Sequence, residues 1–127
     1  MFEKLSLTRM AQDLAQQSAA RLGLIARNVA QADTPGYKAV DLPSFAESYQ
    51  ELQPNSMHAT RPGHLDGRSQ MLEPVEQPSA GETSPNGNTV SLAHERVRSV
   101  DVRQQHDMAL AVYKNTSEII RASLGRS

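Results

Sequence analysis

The chain has no cysteine and no tryptophan, and its 127 residues include only two Phe and three Tyr. Without cysteine there is no disulfide framework, no thiolate metal site and no thiol nucleophile. The compartment stays open, because an exported protein without disulfides has the same composition. The shortage of aromatics limits the core, since buried rings supply much of the apolar area of a small domain. Neither sign of charge dominates: 13 basic residues face 14 acidic ones, for a formal net charge of -1. That balance gives no electrostatic basis for nucleic acid or an anionic membrane as partner. No apolar run approaches the length that spans a bilayer. The opening MFEKLSLTRMAQDLAQQ carries Glu3, Lys4, Arg9 and Asp13 where a cleaved secretory signal has an apolar segment. Phosphate-loop, dinucleotide, serine-hydrolase and zinc-protease motifs are missing as well. No enzyme, cofactor or small-molecule substrate is expected.

Proline and glycine are nearly absent from the two ends. All seven prolines lie between Pro35 and Pro85, and five of the seven glycines between Gly36 and Gly87. Proline removes a helix donor and clashes with the preceding turn, so this distribution divides the chain into three. Residues 1–33 are expected to form one helix, 34–90 an irregular linker or arm, and 91–127 a second helix.

In the first segment Leu7, Ala11, Leu14, Ser18, Leu22, Ile25 and Val29 follow at steps of three or four. Such steps place them on one stripe of a helix. Gln12, Gln16, Gln17, Arg21 and Arg27 fall on other faces. The rod would be about 45 Å long at about 1.5 Å per residue, weakened at Gly23 by up to about 1 kcal/mol. In the last segment Val97, Val100, Met108, Ala111, Val112 and Ile119 make one ridge, and Leu110, Tyr113, Ile120 and Leu124 an adjacent one. Ser91 suits an N-cap, Glu95 suits the positive end of the dipole, and Gly125 marks the stop. The polar stretch from Arg98 to Asp107 interrupts the apolar pattern, so the pattern does not dictate continuity there.

Within the middle, PSFAESYQEL predicts a short helix near 43–53, with Pro43 in the first helical position and Phe45, Tyr49 and Leu52 on one face. Ser79 to Asn88 has almost no apolar content and is expected to be a flexible loop. The fold class is therefore mainly α, with long N- and C-terminal helices pairing as a coiled-coil-like hairpin around an irregular Pro/Gly-rich arm. Two helices alone leave part of each stripe wet. Leu7, Leu14, Leu22, Ile25 and Val29 on the first helix are thus expected to divide between an internal core and contacts with other subunits. So are Val97, Val100, Met108, Val112, Tyr113, Ile119, Ile120 and Leu124 on the second. The charged residues are expected on solvated faces, with Glu118 and Arg121 pairing at i, i+3. His58, His64 and Asp66 are a conceivable metal site, but their spacing matches no zinc or iron arrangement, so solvent-exposed loop residues are expected. His94 and His106 are expected on a solvated helix face.

One motif ends the first helix. In NVAQADTPGYKA, Thr34 precedes proline and is turned away from the helical region, so the helix should stop near Asp33. Pro35 and Gly36 suit the central positions of a type II turn, and Tyr37 can lay its ring over that turn with its hydroxyl in water. The run Asn28, Val29, Ala30, Gln31, Ala32, Asp33, Thr34, Pro35, Gly36, Tyr37, Lys38 resembles the N-terminal signature of the bacterial flagellar rod and hook proteins. Gln31 departs from the asparagine usual there. Three further stretches resemble the proximal-rod branch: KAVDLPSFAESY after the turn, Thr60 to Leu65 in mid-chain, and Asn86 to Val90 with Glu95. Val102, Gln104 and His106 depart from that branch's early C-terminal helix.

The resemblance implies a structural subunit that polymerises with itself and other flagellar rod proteins and supports motility. It implies terminal helices in an inner layer, an outer arm bridging neighbours, and contacts with the membrane ring and export gate. It also implies a periplasmic place in the basal body, reached through the flagellar type III apparatus without a cleaved signal. Asn28, Ala30, Asp33, Thr34, Pro35, Gly36, Tyr37 and Lys38 would then fix where the chain leaves the inner layer. A non-polymeric hairpin adaptor or export chaperone shares the amphipathic helices but leaves the signature unexplained.

Overall fold

A computed structural model describes residues 2–52, 76–79 and 81–125. Helix α1 (Phe2–Ala30) and helix α3 (Leu92–Leu124) pack lengthwise, and between them lie β1 (Val40–Asp41), α2 (Phe45–Leu52) and β2 (Gln77–Pro78). Arg98 stands level with Arg21 through Asp41, while Leu110 and Tyr113 stand beside residues 11–19, so the two long helices are antiparallel. The hairpin expected from the sequence is present.

Its seam differs in register from the apolar stripe. On α1 the inward line is Ala11, Leu14, Ser18, Arg21, Ile25 and Asn28; Arg21 and Leu14 are half-buried and the others buried. These steps of three and four repeat every seven residues, the period of a coiled-coil seam. The apolar pattern drifts off that line, leaving Leu22 half-buried and Val29 44% exposed. On α3 the buried positions are Glu95, Arg98, Val102, Ala109 and Thr116. Small residues let the helices approach. Ser18 and Thr116 donate their hydroxyls back to Leu14 O at 2.7 Å and Val112 O at 2.8 Å, so neither needs a partner across the seam.

α3 is continuous through the polar stretch from Arg98 to Asp107. Its polarity has a structural reason: Arg98 and Val102 face inward while Asp101, Arg103, Gln104 and Gln105 face water. Ser91 caps the helix as expected, its Oγ accepting from His94 N at 3.4 Å, and Gly125 closes it through a bond to Arg121 O at 2.8 Å. α2 starts two residues later than the proline suggested. Ser44 is its N-cap, and the Ser44 hydroxyl and Glu47 carboxylate bond each other's backbone N–H at 3.4 and 3.2 Å, a capping box. Pro43 stands outside the helix, where its carbonyl accepts from Gln17 Nε2 at 2.6 Å and ties α2 to α1. The Phe45 and Tyr49 rings meet at 5.6 Å, as their shared face required.

Candidate assembly site: a polar clamp at the head and an open apolar shaft

The head of the hairpin, where α1 ends and α3 begins, is built from the turn motif. Tyr37 N donates to Thr34 O at 3.3 Å across Pro35 and Gly36, and Gly36 has φ 74°, the positive angle that a type II turn needs there. The last turn of α1 tightens, with Ala32 N bonding Val29 O at 3.2 Å and Thr34 N bonding Gln31 O at 3.1 Å. A helix end leaves carbonyls without partners. Here Asn88 supplies a donor to Ala32 O and adds one to Gln31 O and Thr34 O, which already accept from Thr34 N and Tyr37 N: its Nδ2 donates to Gln31 O, Ala32 O and Thr34 O at 2.9, 2.8 and 2.8 Å. Two amide protons serve three acceptors, so at least one is shared. The Asn88 Oδ1 accepts from Val90 N at 2.7 Å, and the side chain is buried.

A second amide works from the other side. Asn28 is fully buried and donates through Nδ2 to Val40 O at 2.8 Å while its Oδ1 accepts from Val40 N at 3.2 Å. It thus meets both backbone groups of Val40 as a neighbouring strand would. The same Oδ1 accepts from the Tyr37 hydroxyl at 3.0 Å, so that hydroxyl is not left in water as the sequence suggested. The segment 81–88, expected to be flexible, is a bonded turn against this motif. Gly36 N donates to Asn86 O at 3.0 Å, Thr89 N to Tyr37 O at 3.0 Å and Lys38 Nζ to Gly87 O at 3.2 Å. Gly87 has φ 83°, and a Cβ there would sit 3.3 Å from Gly36 Cα, so the two turns touch backbone to backbone.

Below the clamp lies a buried ionic bolt. Arg21 on α1 donates Nε and Nη2 to the two Asp41 oxygens at 3.2 and 3.0 Å, a bidentate pairing. Arg98 on α3 places Nη2 2.6 Å from Asp41 Oδ1, as an ion pair without hydrogen-bond alignment, and donates Nη1 to Glu95 Oε1 at 2.9 Å. Asp41 therefore joins both long helices. Glu95 is 1% exposed, and its Oε2 has no hydrogen-bond partner among the described residues. Arg21, Glu95 and Arg98 were expected on solvated faces; they are seam residues. The expected Glu118–Arg121 pair is not formed among the described residues.

The shaft is the opposite case. Its inner line is mostly small or polar, and most of its large apolar residues are exposed. Leu7, Val97, Val100, Met108, Ile119 and Leu124 are 45–66% exposed, and Tyr113 is 36% exposed. Leu14, Val112 and Ile120 are half-buried; of the apolar residues expected to pack or assemble, Ile25 alone is fully buried. Between the helices runs an open groove of about 630 Å³, with Ala11, Ala15 and Ala19 along one side and His106, Leu110 and Tyr113 along the other. Partial burial in that groove raises the pKa of Asp13, against a smaller opposing pull from Arg9. Among the described residues no group of three His, Asp or Glu side chains is placed to hold a metal ion. His58, His64 and Asp66 lie outside the described residues, as does the Thr60–Leu65 stretch.

No protein-family model matches the chain. The flagellar basal body rod protein FlgB of Escherichia coli (strain K12) is 31% identical over 122 residues, covering 87% of this chain and 88% of the relative. That of Agrobacterium fabrum (strain C58) is 27% identical over 130 residues, covering 98% and 96%. The chain belongs to the FlgB family. Coverage of 87% and 98% of the chain by these relatives agrees with a head and shaft built from both ends of the sequence. The signature residues of this FlgB-family chain converge on the head. Asn28, Thr34, Gly36, Tyr37 and Lys38 bond directly within the clamp, while Ala30, Asp33 and Pro35 are exposed around it. The divergent trio separates: Val102 is buried in the seam, Gln104 is exposed, and His106 lines the groove. Asn88 and the Arg21–Asp41–Arg98–Glu95 chain were not anticipated as site residues. The seven-residue spacing of Arg21 and Asn28 with Ala11, Leu14, Ser18 and Ile25 was the available signal.

Proposed function

We propose that this chain is a structural subunit of the proximal flagellar rod, whose head clamp fixes the hairpin and whose outward apolar residues join neighbouring rod subunits. It is not an enzyme, and it supports motility as part of the drive shaft. The observation that carries this reading is the inversion of the shaft: small and polar residues inside, Val97, Val100, Met108 and Ile119 outside. An isolated hairpin gains nothing from exposing such side chains, whereas a packed neighbour recovers about 1.5–3 kcal/mol for each one fully buried. The DTPGY turn then sets where the chain leaves the helical layer, and the middle segment reaches toward adjacent subunits.

The finer placement belongs to the same reading. The subunit lies in the periplasmic rod, contacts the membrane ring and export gate at the rod base, and arrives through the flagellar type III apparatus without a cleaved signal. A thin core suits that route. Among the described residues only Leu24, Ile25, Leu42 and Val102 are large, apolar and fully buried. A chain so lightly held can be unfolded for threading and refold before it assembles. An in-frame deletion followed by electron microscopy of isolated basal bodies tests the function: rods should be missing and swimming lost. Intact rods after the deletion would sink it, and finding the protein outside basal bodies would favour an adaptor.

A further inference from the structure

Charge is sorted along this molecule although the total is nearly balanced. Residues 33–90 hold 8 acidic and 3 basic side chains, while the two flanking helical segments hold 6 acidic and 10 basic. On α3 the basic residues form a line. Arg96, Arg103, Lys114 and Arg121 recur at intervals of 7, 11 and 7 residues. Each interval is within about 20° of a whole number of helical turns, so all four share one face over about 38 Å. All four are exposed, and none makes an ion pair with another described residue. Asp107 and Glu118 flank the line and leave it a net excess of two positive charges.

The acids that could answer this line sit at the head. Asp41 is committed to Arg21 and Arg98, and Glu76 to Arg27 at 2.7 Å. Asp33 and Glu82 are exposed without an ion pair among the described residues, and Glu47 is exposed at the start of α2. The segment 53–75 offers no complement, because Asp66 and Glu73 are balanced there by Arg61 and Arg68. The uncommitted acids of the head turns and the basic line on α3 are thus opposite in charge and lie on different elements.

We propose that the basic line Arg96–Arg103–Lys114–Arg121 receives the acidic head, Asp33 and Glu82, of a second copy of this chain. This rests on the rod reading and deepens it by naming a partner surface. Unlike surfaces that pair make a heterologous contact, which propagates into an open helical array where the rotation does not close. Electrostatic complementarity then sets register and encounter rate, while the exposed apolar residues supply the area.

Two charge reversals of the purified full-length protein test it, with self-association read by sedimentation velocity. R103E/K114E turns the shaft acidic and D33K/E82K turns the head basic. Each variant alone should self-associate at least about tenfold more weakly than wild type at low salt, where exposed charges are least screened. An equimolar mixture should regain association, because each variant's altered surface complements the other's. Wild-type association should weaken as salt rises. The proposal is overturned by no association of wild type at low salt, by unchanged association of both reversals, or by a mixture that stays dissociated. It is also overturned if R103E/K114E abolishes binding to phosphatidylglycerol vesicles and leaves self-association intact, which would assign the line to a lipid surface. Rods missing from the deletion strain together with a failed mixture would leave the rod reading standing and remove this one.

Discussion

The head and the shaft bury their side chains on opposite terms. At the head, Asn28 and Asn88 are almost wholly removed from water, and each spends its amide on backbone groups of the adjoining turn or strand. In the shaft, many large apolar side chains stand in water, and the line between the helices is mostly small or polar, with Ala11, Ser18, Ala109 and Thr116 beside Leu14 and Val102. A buried polar group is stable only when its partners have defined geometry, so the head specifies one arrangement and closes on itself. An apolar surface asks for area rather than direction, so the shaft accepts neighbours. Internal geometry is set at the head, and the apolar area available for association lies along the shaft.

The sharpest way to break the head is Arg98→Ala. Glu95 would stay buried with its charge uncompensated, and Asp41 would keep only Arg21. Removing one partner of a buried pair costs about 3–5 kcal/mol, which can exceed the margin of a domain with so thin a core. Loss of the cooperative urea transition followed by circular dichroism is expected; a shift no larger than that of an exposed arginine would show that the bolt holds nothing. Asn88→Ala comes next. It leaves Ala32 O without its amide donor and Val90 N without its acceptor, and should cost about 1–3 kcal/mol, with amide exchange rising first at Val90. Unchanged protection there would mean that water replaces the amide freely.

Much of the hairpin was legible because proline excludes itself from helix interiors, and its confinement between Pro35 and Pro85 marked both long helices. The type II turn was equally plain, since Pro followed by Gly satisfies its two central angles. What stayed hidden has one physical origin. Following apolar residues assumes that the buried face is the apolar face, and here it is not. Arg21 and Asn28 occupy seam positions and Val29 lies outside, so a 3.6-residue stripe and the true 3.5-residue seam separate toward the head. Asn88 was invisible for another reason: its role depends on the end of α1 being brought to residue 88, a contact that no local pattern encodes. The hydroxyl of Tyr37 followed, because its partner Asn28 was not read as buried.

The shaft offers the contrasting break. Met108→Ser with Ile119→Ser removes apolar surface at positions 55% and 51% exposed. Stability of the isolated chain should change by no more than about 1 kcal/mol for the two substitutions together, yet rod assembly in the cell should fail. Comparable helicity with missing rods would separate association from folding. A large loss of helicity would instead make these residues part of the fold and erase the distinction between head and shaft.

The finest test sits in the groove. Asp13 has its pKa raised by partial burial, with Arg9 opposing, so the folded chain holds its proton more tightly than the unfolded chain does. The sign follows from proton counting. Stability falls as pH rises from the ordinary aspartate value through the raised one, and above both the deficit is constant. Asp13→Asn has no charge to desolvate, so it should be slightly more stable than wild type at about pH 7, with the advantage shrinking toward about pH 4 as wild-type Asp13 takes up its proton. Urea midpoints of both proteins across that range check this, and a constant difference would mean that burial in the groove does not act on the carboxyl. A neighbour seated beside Ala11, Ala15 and Ala19 would exclude more water and push Asp13 further in the same direction. The pH at which the two proteins converge should therefore move upward in assembled material, which makes this one carboxylate a reporter of whether the open side of the shaft has been covered.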